Sequence, residues 1–141
     1  PILFLSRYII DNKTDYYKGL QNVTEQQDWE SWVLYMLRAV DHTAKKTTEK
    51  IESILKLMNY FSDEMKKNQA TEKIYSKDLL EVLFMSPYCR IKTVEENLGV
   101  VRQTAASYLR KLCEAELLKE VKFGSEVLFL NSLFVIFKIF F

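Results

Sequence analysis

Apolar residues recur three and four positions apart along the first half of the chain, which is the period of one face of an α-helix. Two short helices are predicted first, with Ser6 and Thr14 as their N-caps. Asp28 is predicted to cap a long helix that runs to Lys67 without a Gly or Pro. Threonines replace good helix formers within residues 42–50, which favours a kink or break there.

The pattern changes after residues 66–77, a polar stretch that predicts a linker. Ser76 is predicted to cap a leucine-rich helix, and Thr93 to open a second, shorter one. Gly99 then provides a turn to a third helix over residues 102–114. Two short helices joined by a glycine turn are typical of a helix-turn-helix.

A hairpin is predicted directly after the third helix. Two apolar segments, 117–123 and 127–130, flank Gly124-Ser125-Glu126, a turn sequence. The predicted fold class is therefore mainly α: a helical segment with a long helix, followed by a winged helix-turn-helix domain with a small β-hairpin. The corresponding domains are residues 1–70 and residues 71–141, the second ending in an apolar tail.

The composition supports this fold but lacks the excess of basic side chains that is typical of nucleic-acid-binding domains. Only 3 Gly and 2 Pro occur among 141 residues, which disfavours an all-β protein with its frequent turns. The net charge is +1, and residues 71–141 carry 10 basic and 9 acidic side chains. Because affinity for DNA depends largely on neutralising phosphates, only weak DNA binding is expected.

The cysteines and the apolar tail bear on location and assembly. Cys89 and Cys113 have no CxxC neighbour and are predicted to be reduced, buried thiols of a cytoplasmic protein. The longest apolar run, residues 133–141, is interrupted by Lys138 and is far shorter than the ~20 residues of a membrane helix. The tail over residues 134–141 either packs on the winged helix as a last helix or strand, or docks onto another domain or a second copy of the chain. We hypothesise that it contributes to a homodimer.

The third helix carries the candidate nucleic-acid contacts. Exposed polar side chains near the start of a recognition helix read bases, and here they are Arg102, Gln103, Thr104 and Ser107. Arginine and glutamine can form bidentate hydrogen bonds with guanine and adenine, respectively. Glu95, Glu96 and Glu126 oppose a DNA role, so a protein-docking module is the favoured interpretation of this fold.

Aromatic residues are concentrated in the first helices, and two interpretations are open. Trp29, Trp32, Tyr16, Tyr17 and Tyr35 would form either a nucleotide-stacking platform or, as their helical spacing favours, a core where the helices meet. No His, Cys, Asp or Glu cluster has metal-ligand spacing, and no glycine-rich phosphate loop is present.

Two stretches resemble one family. The first stretch, within residues 5–32, contains Leu5-Ser6-Arg7-Tyr8-Ile9-Ile10, Asp15-Tyr16-Tyr17 and Asp28-Trp29-Glu30-x-Trp32. The second stretch is Leu98-Gly99-Val100-x-Arg102-Gln103-Thr104-Ala105. Together they are similar to the C-terminal part of Fic-family proteins, in which helices follow the catalytic loop and a winged helix often ends the chain. Val101 and Glu116 depart from the usual pattern, which has a capping Ser and a Gly at these positions. Ala106-Ser107 stands where Ser-Arg is common, which further weakens DNA recognition.

The resemblance implies an activity for the parent protein: transfer of AMP from ATP to a hydroxyl of a target protein, with ATP and Mg²⁺ as cofactors. The family's loop, His-Pro-Phe-x-x-Gly-Asn-Gly-Arg, is absent from this sequence, and His42 lies in mid-helix without its neighbours. No catalytic residue, metal ligand or cofactor is therefore assigned to this chain. Since the chain begins at Pro1, we expect it to be part of a longer protein.

The sequence therefore predicts a non-catalytic C-terminal region of a Fic-type AMP transferase. Its expected partners are the catalytic Fic domain of the same protein and a protein target, with no membrane. The winged helix would be a regulatory or target-recognition module. The alternative is a DNA-binding transcriptional regulator with a helical dimerisation arm.

Overall fold

The structure is a computed structural model that describes residues 5–124 and 126–135. It is mainly helical with one small antiparallel sheet, which confirms the predicted fold class. By its internal contacts the chain divides into two compact units, Pro1–Glu52 and Ser53–Phe141. The predicted domain boundary after residue 70 stays a prediction.

The N-terminal unit consists of helices. They are α1 (Leu5–Asp11), α2 (Lys13–Gln26) and the first part of α3 (Trp29–Lys67). The first two predicted caps were wrong, because Ser6 lies inside α1 and Thr14 inside α2. Asn12 precedes α2 but makes no capping bond, and its Nδ2 donates to the Tyr8 carbonyl at 2.9 Å instead. The third cap is confirmed, since Asp28 Oδ1 accepts a hydrogen bond from the Ser31 N–H at 3.1 Å.

Helix α3 continues through the threonine-rich stretch, so the predicted break was wrong. Thr43 Oγ1 donates to the Ala39 carbonyl and Thr47 Oγ1 to the Thr43 carbonyl, both at 2.7 Å. Such bonds to the preceding turn satisfy the hydroxyls within the helix. The β-branched residues are therefore accommodated without ending it.

The aromatic residues of the N-terminal unit form a ring cluster. Trp32 stacks on Tyr35 with centroids 5.8 Å apart, and Tyr16 lies 5.4 Å from Trp32. The core interpretation was wrong for two members, because Trp29 and Tyr17 are exposed. The Tyr35 hydroxyl is buried and has no hydrogen-bond partner among the described residues. Desolvation raises the pKa of Tyr35, and electrostatic interactions with Tyr8 and Asp15 raise it further.

The C-terminal unit contains the helix-turn-helix and the wing. Beyond the end of α3, its elements are α4 (Gln69–Glu72), α5 (Lys77–Met85), β1 (Tyr88–Cys89), α6 (Ile91–Leu98), α7 (Arg102–Glu114), β2 (Lys119–Phe123) and β3 (Glu126–Leu130). Its core contains Phe61 and Met65 from α3, Leu83 from α5, Leu109 from α7 and Phe129 from β3. The core therefore unites the end of the long helix with the winged helix.

The predicted linker at 66–77 is ordered and partly buried, contrary to expectation. Asn68 caps the short helix α4 by accepting from the Ala70 N–H at 2.9 Å. Thr71 is fully buried, and its Oγ1 donates to the Met65 carbonyl at 2.8 Å. Ile74 is buried in the same core. These contacts tie the segment to the end of α3.

The helix-turn-helix has the predicted turn. Gly99 adopts φ 62°, a left-handed conformation that glycine reaches without steric cost. Val94 of α6 packs with Ala105 and Leu109 of α7, and all three are fully buried. Helix α7 has the predicted bounds, whereas α6 begins at Ile91 rather than Thr93.

The wing is the hairpin of β2 and β3, paired antiparallel from Lys119↔Leu130 to Phe123↔Glu126. Strand β1 pairs with the other edge of β3, so the sheet order is β1-β3-β2. Asn131 then begins a helical segment at 132–135 by accepting from the Phe134 N–H at 3.0 Å. Residues 136–141 of the apolar tail lie outside the described residues, so the dimer hypothesis stays a prediction.

Candidate functional site

The start of α7 lacks a side-chain cap. Val101 occupies the N-cap position in an extended conformation, and its carbonyl accepts from the N–H groups of Thr104 and Ala105 at 2.9 and 3.1 Å. Valine has no oxygen with which to accept from the first turn, unlike the Ser, Thr, Asp or Asn preferred at this position. The side chain of Val101 is exposed.

The outward face of α7 lines a shallow groove of about 450 Å³. It brings together two of the four predicted contact residues, Gln103 and Ser107. Arg110 and Lys111 line it further along, and Glu114 adds a carboxylate. Arg110 was missed in the sequence analysis, although its spacing of three from Ser107 and seven from Gln103 is the helical period.

Arg102 lies in a different groove, of about 300 Å³, between the start of α7, the start of α6 and the wing. We call it the wing groove; its lining residues are Arg90, Ile91, Lys92, Arg102, Glu126 and Val127. Thr104, the remaining predicted contact, is half-buried and lines neither groove. The four candidates therefore do not form one surface.

The wing groove is positive but already holds a carboxylate. Three cations line it against one carboxylate, a formal sum of +2. Arg90 Nε lies 3.1 Å from Glu126 Oε2 of the wing, and the Arg90 guanidinium lies 5.7 Å from the ring centroid of Tyr88. Lys92 Nζ lies 3.6 Å from Glu96 Oε1. Arg90 and Lys92 were not singled out from the sequence.

A second candidate surface lies within the N-terminal unit. Trp29, Val33, Leu37 and Val40 follow one another at helical spacing on α3 and are 39–61% exposed. We call them the apolar stripe. Ala39 is the one buried hydrophobic residue among the described residues of this unit. The unit therefore leaves most of its large apolar side chains in contact with solvent.

The remaining histidine and cysteine side chains of the described residues form no further candidate site. His42 is exposed, with its ring centroid 5.2 Å from that of Tyr8. Cys89 and Cys113 are free thiols, the first buried and the second half-buried. Within residues 5–124 and 126–135, no three His, Cys, Asp or Glu side chains lie together as a metal site requires. No helix in the same ranges is long and apolar enough to cross a membrane.

The sequence matches a known protein family. A family model described as "Protein adenylyltransferase SoFic-like, C-terminal domain" matches residues 57–134. The match covers more than half of the chain and runs from the end of α3 through the wing to the last helical segment. It confirms the resemblance to the C-terminal part of Fic-family proteins and includes the second of the two stretches that carry it, residues 98–105. The chain therefore belongs to the SoFic-like family of Fic-type protein adenylyltransferases and contains their C-terminal domain.

Proposed function

We propose that this chain supports the catalytic domain of a Fic-type AMP transferase and supplies it with a regulatory or target-recognition winged helix. The N-terminal unit would complete the helical core of the catalytic domain. The parent protein would use ATP and Mg²⁺ to transfer AMP to hydroxyls of a cytoplasmic target protein. The chain's own residues would take no part in that chemical step.

The apolar stripe is the observation that carries the proposal. Exposing large apolar side chains to water costs roughly 25 cal/mol for each Å² that could be buried. Four such residues in one row on α3, beside a single buried hydrophobic residue, indicate a surface made to be covered. A catalytic domain that precedes a C-terminal domain in the same protein is the partner that family membership supports.

The winged helix has features that favour protein docking over catalysis or strong DNA binding. Its outward α7 face mixes Arg110 and Lys111 with Glu114. The wing groove holds Glu126 among its cations. Phosphate neutralisation supplies most non-specific DNA affinity, and such mixed charge supplies little of it.

The experiment compares two neighbouring residues of α3 in the whole protein. Leu37 belongs to the apolar stripe, whereas Arg38 is exposed outside it. Leu37→Asp should bury a charge in the interface with the catalytic domain and reduce ATP-dependent labelling of protein by at least tenfold. Arg38→Asp, the matched control, should label at the rate of the unaltered protein. Equal rates for both variants would overturn the proposed scaffold.

A DNA-binding regulator is the second candidate, and one observation favours it. Gln103, Ser107 and Arg110 line the same exposed groove on α7, the helix that enters the major groove in such proteins. If this candidate holds, Arg110→Ala should weaken binding of the chain to duplex DNA by about tenfold, and binding should fall steeply with salt. If the scaffold proposal holds, duplex binding stays weak and Arg110→Ala changes it little.

A further inference from the structure

We propose that the wing groove binds a segment of the target protein in which a carboxylate side chain lies next to apolar residues. The proposal deepens the proposed function, since it names the site and the chemistry by which the winged helix would recognise a target. Its occupant would place a carboxylate between Arg90, Lys92 and Arg102.

The cations of the groove come from the starts of two helices. Arg90 precedes α6, Lys92 lies in its first turn, and Arg102 is the first residue of α7. All three line one cavity of about 300 Å³, and half of the Arg90 side-chain surface is exposed. A guanidinium presents a fork of N–H donors that matches a carboxylate. The groove therefore offers donors from several directions to a single anionic group.

Glu126 shows which chemistry the groove accepts. Its carboxylate reaches from the wing to Arg90, with Nε and Oε2 3.1 Å apart. Both side chains are at least half exposed, and an exposed ion pair of this kind contributes little to stability. A carboxylate from another protein can therefore replace Glu126 at small cost. Glu126 would then act as a built-in competitor.

Exposed apolar residues neighbour three of the residues that line the groove, and they favour a peptide over nucleic acid. Tyr88 lies beneath Arg90, Phe123 is paired with Glu126 across the hairpin, and Val101 directly precedes Arg102. Phe123 is 74% and Val101 69% exposed. A phosphodiester backbone makes no use of such apolar side chains. A peptide with neighbouring acidic and apolar residues matches both features.

The test measures fluorescence anisotropy with the full chain and a fluorescein-labelled peptide that alternates Glu with Leu. A peptide with Gln in place of every Glu is the matched probe. We expect the Glu peptide to bind more tightly than the Gln peptide. Glu126→Gln should tighten binding of the Glu peptide about two- to fivefold, because it removes the competing carboxylate. Arg102→Ala and Lys92→Ala should each weaken it by a similar factor.

Lys111→Ala is the control, because Lys111 lines the groove on the outward face of α7 and not the wing groove. It should leave affinity for the Glu peptide unchanged. Equal affinity of all variants for this peptide would overturn the proposal. The proposal would also be overturned if the chain bound duplex DNA more tightly than the Glu peptide and if Arg102→Ala and Lys92→Ala abolished that DNA binding. If the Glu peptide does not bind while Leu37→Asp still reduces ATP-dependent labelling, the proposed role of the wing groove is wrong and the scaffold proposal stands.

Discussion

Gly19 of α2 lies directly against Trp32 of α3: a Cβ built on Gly19 would be 2.9 Å from Cε3 of the indole. The indole cannot easily move away, since it stacks on Tyr35 with an interplanar angle of 17° and contacts Tyr16. The helical pattern of the sequence gives no reason for this glycine, which lowers helix propensity. In the structure, the absent side chain is what allows the two helices to approach at this point.

Gly19→Ala should destabilise the protein, although alanine is the better helix former. Helix propensity favours Ala by about 1 kcal/mol. Overpacking costs about 1–3 kcal/mol, and the stacked rings around Trp32 place this site toward the upper end. We expect a net loss of up to about 2 kcal/mol and a lower Tm, measured by thermal unfolding with tryptophan fluorescence.

Two variants test whether the contact is the cause. Lys18→Ala changes an exposed neighbour in the same helix and should leave Tm nearly unchanged. In a Trp32→Ala background the steric conflict disappears, so Gly19→Ala should then raise Tm through helix propensity. A rise in Tm with Trp32 still present would show that the indole does not constrain this position.

Glu116→Gly should stabilise the winged helix. Glu116 follows α7 with φ 58°, and the N–H of Leu117 donates to the Leu112 carbonyl at 3.0 Å, as in a Schellman motif. A left-handed conformation costs a residue with a Cβ about 1–2 kcal/mol, part of which glycine loses again through its freer unfolded state. We expect a gain of about 0.5–1 kcal/mol in urea unfolding. Glu114→Gly, inside α7, should instead lower stability.

Hydrophobic periodicity was sufficient to predict most helices, but not where α1, α2 and α6 begin. Helix α6 starts two residues before Thr93, because Arg90 occupies the N-cap position without a capping side chain. A helix start without a capping Ser, Thr, Asp or Asn cannot be recognised from the capping residues in the sequence. Strand β1 has two residues and exists only through its pairing with β3, a long-range contact that leaves no local pattern.

The candidate site was predictable only where it follows helical geometry. Gln103 and Ser107 share a face because they are four positions apart, and both line the groove on α7. Arg102 was grouped with them, yet it is turned about 100° from Gln103 on the helix, at 3.6 residues per turn, and lies in the wing groove. Its neighbour Arg90 comes from another element, so its proximity depends on how β1 and the wing pair.

Val101→Ser should stabilise α7 by supplying the missing cap. Val101 already has the extended backbone of an N-cap residue, with φ −70° and ψ 150°, and its exposed side chain makes no capping bond. A serine hydroxyl could accept from an N–H of the first turn, a bond worth about 0.5–2 kcal/mol. We expect a rise in unfolding free energy of about 1 kcal/mol. Val101→Ala, which cannot cap, should show no such rise.

Cys89 should make stability fall in alkaline solution. Burial in β1 raises the pKa of this thiol from 9.0 to about 11, so the folded chain keeps its proton where the unfolded chain has lost it. Below pH 9 both states are protonated and Cys89 has no effect on the pH dependence. Between pH 9 and 11 the free energy of unfolding should decrease by up to about 1.4 kcal/mol per pH unit.

The measurement is urea unfolding across that pH range, compared with Cys89→Ala. Other groups titrate in the same window, so the difference between the two proteins isolates the thiol. The variant begins less stable because it loses buried volume, but its stability should fall less steeply with pH. Parallel profiles would show that Cys89 ionises as readily in the folded chain as in the unfolded one, and that the strand does not exclude solvent from its sulfur.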